Sequence, residues 1–114
     1  MNGELVQLLQ SLVRIPSVNP ALADDPAVGG EARLAEYLGD YLGRRGFRTE
    51  MLEVIPGRPN VIGRFGPAKP AYIVMIEGHT DTQGIHGMTV DPFAAEVCGG
   101  RLFGRGACDT KGPL

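Results

Sequence analysis

Ala71-Tyr72-Ile73-Val74-Met75-Ile76 is an unbroken apolar run between Pro70 and Glu77. A short run that offers apolar side chains to both faces reads as the central strand of a sheet covered by helices on each side, because a half-solvated strand would alternate. The expectation is therefore a layered α/β architecture with a buried strand over 71–77. The next residues, Gly78-His79-Thr80-Asp81-Thr82, would emerge at the edge of that sheet, the customary place for ligand chemistry in open α/β folds.

The surrounding pattern supplies the other layers. Leu5, Leu8, Leu9 and Leu12 fall at i, i+3, i+4 and i+7, with Val6 and Val13 widening the stripe, so a helix is expected from about Gly3 to Arg14, stopped by Pro16. Ser17 to Gly30, rich in proline and poor in large apolar residues, reads as a surface loop. A second helix over Glu31–Leu42 carries Leu34, Tyr37, Leu38, Tyr41 and Leu42 on one face, and Arg44-Arg45 suits the negative end of its dipole. Phe47–Val54 and Asn60–Phe65 form a hairpin about Gly57-Arg58-Pro59. A second hairpin follows, in which Phe93, Ala95 and Val97 alternate, Gly99-Gly100 turns the chain and Arg101-Leu102-Phe103 returns it. This order opens a mixed α/β layer architecture that calls for more strands and one more helix, fed by the segment around Asp109.

At 114 residues the chain fits one domain. Its net charge of -2 is spread among interspersed acidic and basic residues, which gives no basic footprint for nucleic acid or anionic membrane. The few, scattered aromatics offer no stacking platform for bases. No run approaches the ~20 apolar residues of a membrane span. The start, Met1-Asn2-Gly3-Glu4, lacks the basic n-region and continuous apolar region of a secretory signal. Cys98 and Cys108 are too few for a disulfide-stapled scaffold. A soluble, cytoplasmic protein is expected.

Two polar stretches carry the chemistry. In Gly78–Thr82, histidine stands two positions before aspartate, an arrangement suited to a metal site. A ligating imidazole needs its other ring nitrogen held by an acceptor that fixes tautomer and orientation. His79 is the candidate ligand and Asp81 its orienting partner. In Gly104-Arg105-Gly106-Ala107-Cys108-Asp109-Thr110-Lys111-Gly112 the small residues permit close backbone approach, and Asp109 has two oxygens with which to bridge cations ~3.5–4 Å apart. A plainer reading makes Asp109 the cap of a helix beginning near Thr110. His86, in the Gly84–Gly87 loop, is read as polar surface rather than as another ligand. Cys108 would make a thiol nucleophile with His79 only in an electropositive setting, which Asp109 next door opposes. Lys111 is placed at the solvated start of the next helix.

Gly78–Thr82, then Gly87-Met88 with Asp91-Pro92-Phe93, then Gly104–Gly112, together resemble the zinc aminoacylase and peptidase family of acetylornithine deacetylase, succinyl-diaminopimelate desuccinylase and carboxypeptidase G. The opening Leu12-Val13-Arg14-Ile15-Pro16-Ser17 is similar to that family's first helix and following loop. The resemblance implies that residues 1–114 are the N-terminal part of a three-layer αβα zinc-exopeptidase-like catalytic domain with a mixed sheet. It implies a two-zinc amidohydrolase, with cobalt or manganese suiting the same ligands, acting on a small N-acyl amino acid or peptide. His79 would bind one metal, Asp81 orient it and Asp109 bridge both, with a cis peptide after Asp109. The family's paired Glu-Glu, its later acidic and histidine ligands and its smaller dimerisation domain have no counterpart within 1–114, and Pro113 stands where the family continues into a glycine and a helix. With His79 and Asp109 alone, weak or no metal binding and no hydrolysis by the isolated chain are expected. The alternative is a non-catalytic α/β binding module that associates, with itself or a partner, through an open sheet edge.

Overall fold

The computed structural model describes residues 3–114. Its elements, in chain order, are α1 (Gly3–Arg14), a short 3-10 turn (Pro20–Leu22), α2 (Ala32–Arg44), β1 (Arg48–Ile55), β2 (Arg58–Arg64), β3 (Glu96–Cys98) and β4 (Arg101–Phe103). Both helices lie where apolar spacing places them. α1 buries Leu12 and Val13 at its C-terminal end while Leu5 stays 61% exposed, and α2 buries Leu34 and Ala35.

Two antiparallel hairpins complete the regular structure. β1 and β2 pair from Arg48 opposite Arg64 to Ile55 opposite Arg58, with an irregularity between Glu53 and Ile55, and pack against α2. Phe47 and Phe65 close the open end with ring centroids 5.2 Å apart. β3 and β4 turn through Gly99 and Gly100, whose φ values of 57° and 75° suit a tight two-residue turn. Strand β3 is shorter than the alternation suggests. Asp91 Oδ1 accepts the backbone N–H groups of Phe93 (2.9 Å) and Ala94 (3.1 Å), and Ala95 sits at φ 54°, so the chain is still turning where pairing was expected.

The loop reading of Ser17–Gly30 needs correction at its start. Ser17 and Val18 are fully buried, and Val18 forms parallel bridges to Gly29 on one side and Thr82 on the other. Three segments thus meet: Val18 N–H donates to Val28 O at 3.0 Å, Asn19 N–H to Thr82 O at 2.9 Å, and Thr82 N–H to Ser17 O at 2.9 Å.

The larger correction concerns residues 71–77, which form no strand. Tyr72, Ile73, Val74, Met75 and Ile76 are 78–91% exposed. Composition states what environment such a run prefers, whereas a strand exists only through hydrogen bonds to a neighbour. Among the described residues the two sheets are β1–β2 and β3–β4, and neither reaches this run. No further helix starts near Thr110 either, because residues 105–113 form a series of turns. Among the described residues no helix is long and apolar enough to cross a membrane.

Candidate metal centre

The turns after β4 bring Asp109 back to the Gly78–Thr82 segment, and two glycines make that return sterically feasible. At Gly104 (φ 153°) a Cβ would stand 2.4 Å from Val13 Cγ1, and at Gly106 (φ 82°) it would stand 2.7 Å from Thr82 Cγ2. Both are closer than any side chain tolerates, so the close approach anticipated from the small residues is present.

Lys111 fixes the same segment from the other side, and here the expectation of a solvated lysine fails. Its side chain is 1% exposed, and Nζ donates to Leu12 O at 2.9 Å and Ile15 O at 2.6 Å. The last carbonyls of a helix have no intrahelical donors and mark its negative end, so an ammonium there satisfies both needs. Burial pushes its pKa down to about 8.

His79 stands between two carboxylates. Its Nδ1 lies 2.9 Å from Asp81 O and 3.1 Å from Asp81 Oδ1, while Nε2 lies 3.1 Å from Asp109 Oδ1, a residue thirty positions away in the chain. The imidazole pKa is raised, first by the hydrogen bond to the Asp81 backbone carbonyl, against partial burial and with help from the Asp109 and Asp81 charges. The Asp109–Thr110 peptide is cis, as the resemblance implies.

This geometry suits two ligands of one cation. Ligand atoms ~2.0–2.1 Å from a tetrahedral zinc stand about 3.3 Å from each other, close to the 3.1 Å between Nε2 and Oδ1. The set is nevertheless incomplete, since among the described residues no group of three or more His, Cys, Asp or Glu could hold an ion, and catalytic zinc normally has three protein ligands. His86 is exposed. Cys98 and Cys108 are free and exposed.

Residues outside the two motifs also belong to the site. Asn19 Nδ2 donates to Asp81 Oδ2 at 2.7 Å. The Arg58 guanidinium lies 3.8 Å from that same oxygen and forks onto the buried Glu31 carboxylate, with Nε at 2.9 Å from Glu31 Oε1 and the terminal nitrogen also bonded there. Nothing in the spacing of Asn19, Glu31 or Arg58 marks them, because Asn19 and Arg58 reach Asp81, and Glu31 reaches Arg58, from three separate segments. Asn19 before Pro20 does carry a turn signal, which points to a cap rather than to the site.

Residues 75–114 match the family described as Peptidase family M20/M25/M40. Succinyl-diaminopimelate desuccinylase of Methylorubrum extorquens (strain PA1) is 38% identical over 94% of the chain and 27% of that protein. The enzyme of the same name from Beijerinckia indica subsp. indica is 36% identical over all of the chain and 29% of the relative. N-formyl-4-amino-5-aminomethyl-2-methylpyrimidine deformylase of Bacillus subtilis (strain 168) is 33% identical over 97% of the chain and 26% of the relative. The chain thus spans between 26% and 29% of the length of these relatives, and the resemblance carried by the motifs is to the same group of proteins.

Proposed function

We infer that this chain is the N-terminal part of a metal-dependent amidohydrolase of peptidase family M20/M25/M40, one that removes an acyl group from an N-acyl amino acid or cleaves a small peptide. The observation that carries this reading is the placement of His79 between Asp81 and Asp109, with Nδ1 and Nε2 each committed to a different carboxylate. Residues 1–114 would supply the opening of a three-layer αβα catalytic domain with a mixed sheet. A cytoplasmic location fits the same reading.

In the whole enzyme His79 would give its Nε2 lone pair and Asp109 its carboxylate to a divalent cation, zinc in the first instance. Asp81 would hold the Nδ1 proton. Such a cation acidifies a bound water toward pH ~7 and polarises an amide carbonyl. The chain's own contribution is positional: Gly104 and Gly106 allow Asp109 to approach, and Lys111 pins the segment that carries it.

Two experiments test the reading. In the longer protein containing these residues, His79→Ala should lower both metal content and hydrolysis of N-succinyl-diaminopimelate or N-acetylornithine, by about 10²-fold or more in activity. Unchanged metal content in that variant would remove the assignment. The purified 114-residue chain with added zinc should hydrolyse neither substrate above blank, and activity there would overturn the claim that the chain is catalytically incomplete.

A second reading has its own observation. The exposed run Tyr72–Ile76 suits a non-catalytic module that associates through unpaired backbone. Strong binding to itself by a longer protein that holds no metal would favour it.

A further inference from the structure

Behind the His79–Asp81 pair stands a side chain whose two ends are both committed. The parallel bridge between Val18 and Thr82 sets Asn19 alongside Asp81. Asn19 Oδ1 accepts the Ala21 N–H at 3.0 Å, capping the Pro20–Leu22 turn, and Nδ2 donates to Asp81 Oδ2 at 2.7 Å. The orientation of the amide follows from chemistry, since only the oxygen can accept the Ala21 N–H and only the NH₂ can serve a carboxylate. With Oδ2 held, and the Arg58 guanidinium 3.8 Å from it, Oδ1 is the oxygen that faces His79 Nδ1 at 3.1 Å. Nδ1 then meets two acceptors, Asp81 O and Oδ1, whereas Nε2 meets one, on a carboxylate side chain that is 73% exposed.

We propose that Asn19 is a positioning residue for His79: by gripping Asp81 Oδ2 it holds Oδ1 on Nδ1, fixes the Nδ1–H tautomer and directs the Nε2 lone pair outward as a ligand. The value of that lone pair to a cation rests on the reading of His79 as a metal ligand, but the tautomer itself requires no metal. A partner that orients the non-ligating nitrogen is what a ligating imidazole needs, and Asn19 supplies the hold on that partner.

The test uses long-range ¹⁵N–¹H correlation spectra of the 114-residue chain at a pH where the imidazole is neutral. The chain has two histidines, so a His86→Gln background leaves His79 as the one imidazole observed. Asn19→Asp preserves size and the acceptor for Ala21 N–H while deleting the donor to Asp81, and it therefore separates positioning from capping. A His79 that is predominantly Nδ1–H with Asn19 present and shifts toward an even mixture in Asn19→Asp supports the proposal. Identical tautomer populations in the two folded chains overturn it. If Asn19→Asp fails to fold, Asn19→Ser, which retains a capping oxygen on a shorter side chain, is read by the same criterion. Zinc added to the unsubstituted chain judges the metal reading separately. A His79 Nε2 resonance that zinc leaves unmoved counts against the metal alone, whereas an Asn19 substitution without effect on the tautomer counts against the positioning alone.

Discussion

Gly106 and Lys111 show how single residues set the site. A methyl group at Gly106 would meet Thr82 Cγ2 at 2.7 Å and Lys111 Cδ at 3.2 Å, at a φ of 82° that side chains rarely adopt. Gly106→Ala should therefore destabilise the chain by about 1–3 kcal/mol, seen as a lower urea midpoint, and a midpoint equal to that of the parent would show that the approach is not tight. Lys111 is coupled to pH. Its folded pKa of about 8 lies below the ordinary 10.5 because burial disfavours the ammonium. Between those values the unfolded chain binds more protons, so stability should rise with pH across that window and be lowest below it. Lys111→Met lacks this dependence, and the difference between the two chains' urea midpoints should change from pH 7 to pH 10 in favour of the lysine. A constant difference would mean that Lys111 is solvated after all. Sequence placed this lysine in water because lysine is rarely buried. What overrides the rule is a pair of helix-end carbonyls ninety-odd residues earlier in the chain, a partner that no local pattern could disclose.

At the scale of elements, the start of α2 and the hairpin are joined by one charge pair. Glu31, just before α2, is 4% exposed and pairs through Oε1 with Arg58 at the start of β2, while its Oε2 is buried without a hydrogen-bond partner among the described residues. Arg58→Met leaves that carboxylate buried and unpaired, and should cost about 1–3 kcal/mol in unfolding free energy. Replacing both, as Glu31→Leu with Arg58→Met, should recover much of the loss, since an apolar pair incurs no charge-burial penalty. A double variant no more stable than Arg58→Met would show that the cost lies in lost packing. The helices and both hairpins were legible because each follows from a local rule: apolar spacing for α1 and α2, turn residues at Gly57 and at Gly99-Gly100. Val18 was not, since its burial depends on bridges to Gly29 and Thr82, and a parallel bridge between distant segments leaves no periodic trace. The metal candidates show the same division. His79 and Asp81 lie two positions apart in one motif, whereas Asn19 and Arg58, which hold Asp81, enter from elsewhere.

For the whole molecule the decisive feature is the mismatch between the apolar run and its surroundings. Tyr72, Ile73, Val74, Met75 and Ile76 are each at least 78% exposed, and an apolar segment of this kind with unpaired backbone is a template for association. The sequence reads as a strand buried on both faces, and the structure departs from it because neither sheet among the described residues offers the run a partner. Sedimentation velocity on the isolated chain should accordingly show concentration-dependent self-association, and Ile73→Lys with Met75→Lys should suppress it by placing charge on one face of the run. The substituted positions lie outside both helices, so the circular dichroism of the helices should be unchanged in the double variant. A chain that stays monomeric at high concentration without the lysines would show that the run finds cover within the molecule. If a longer protein containing these residues is instead monodisperse while the isolated chain associates, the run is covered by residues beyond this chain, and the association of the short chain is that of an unpaired segment rather than of a binding module.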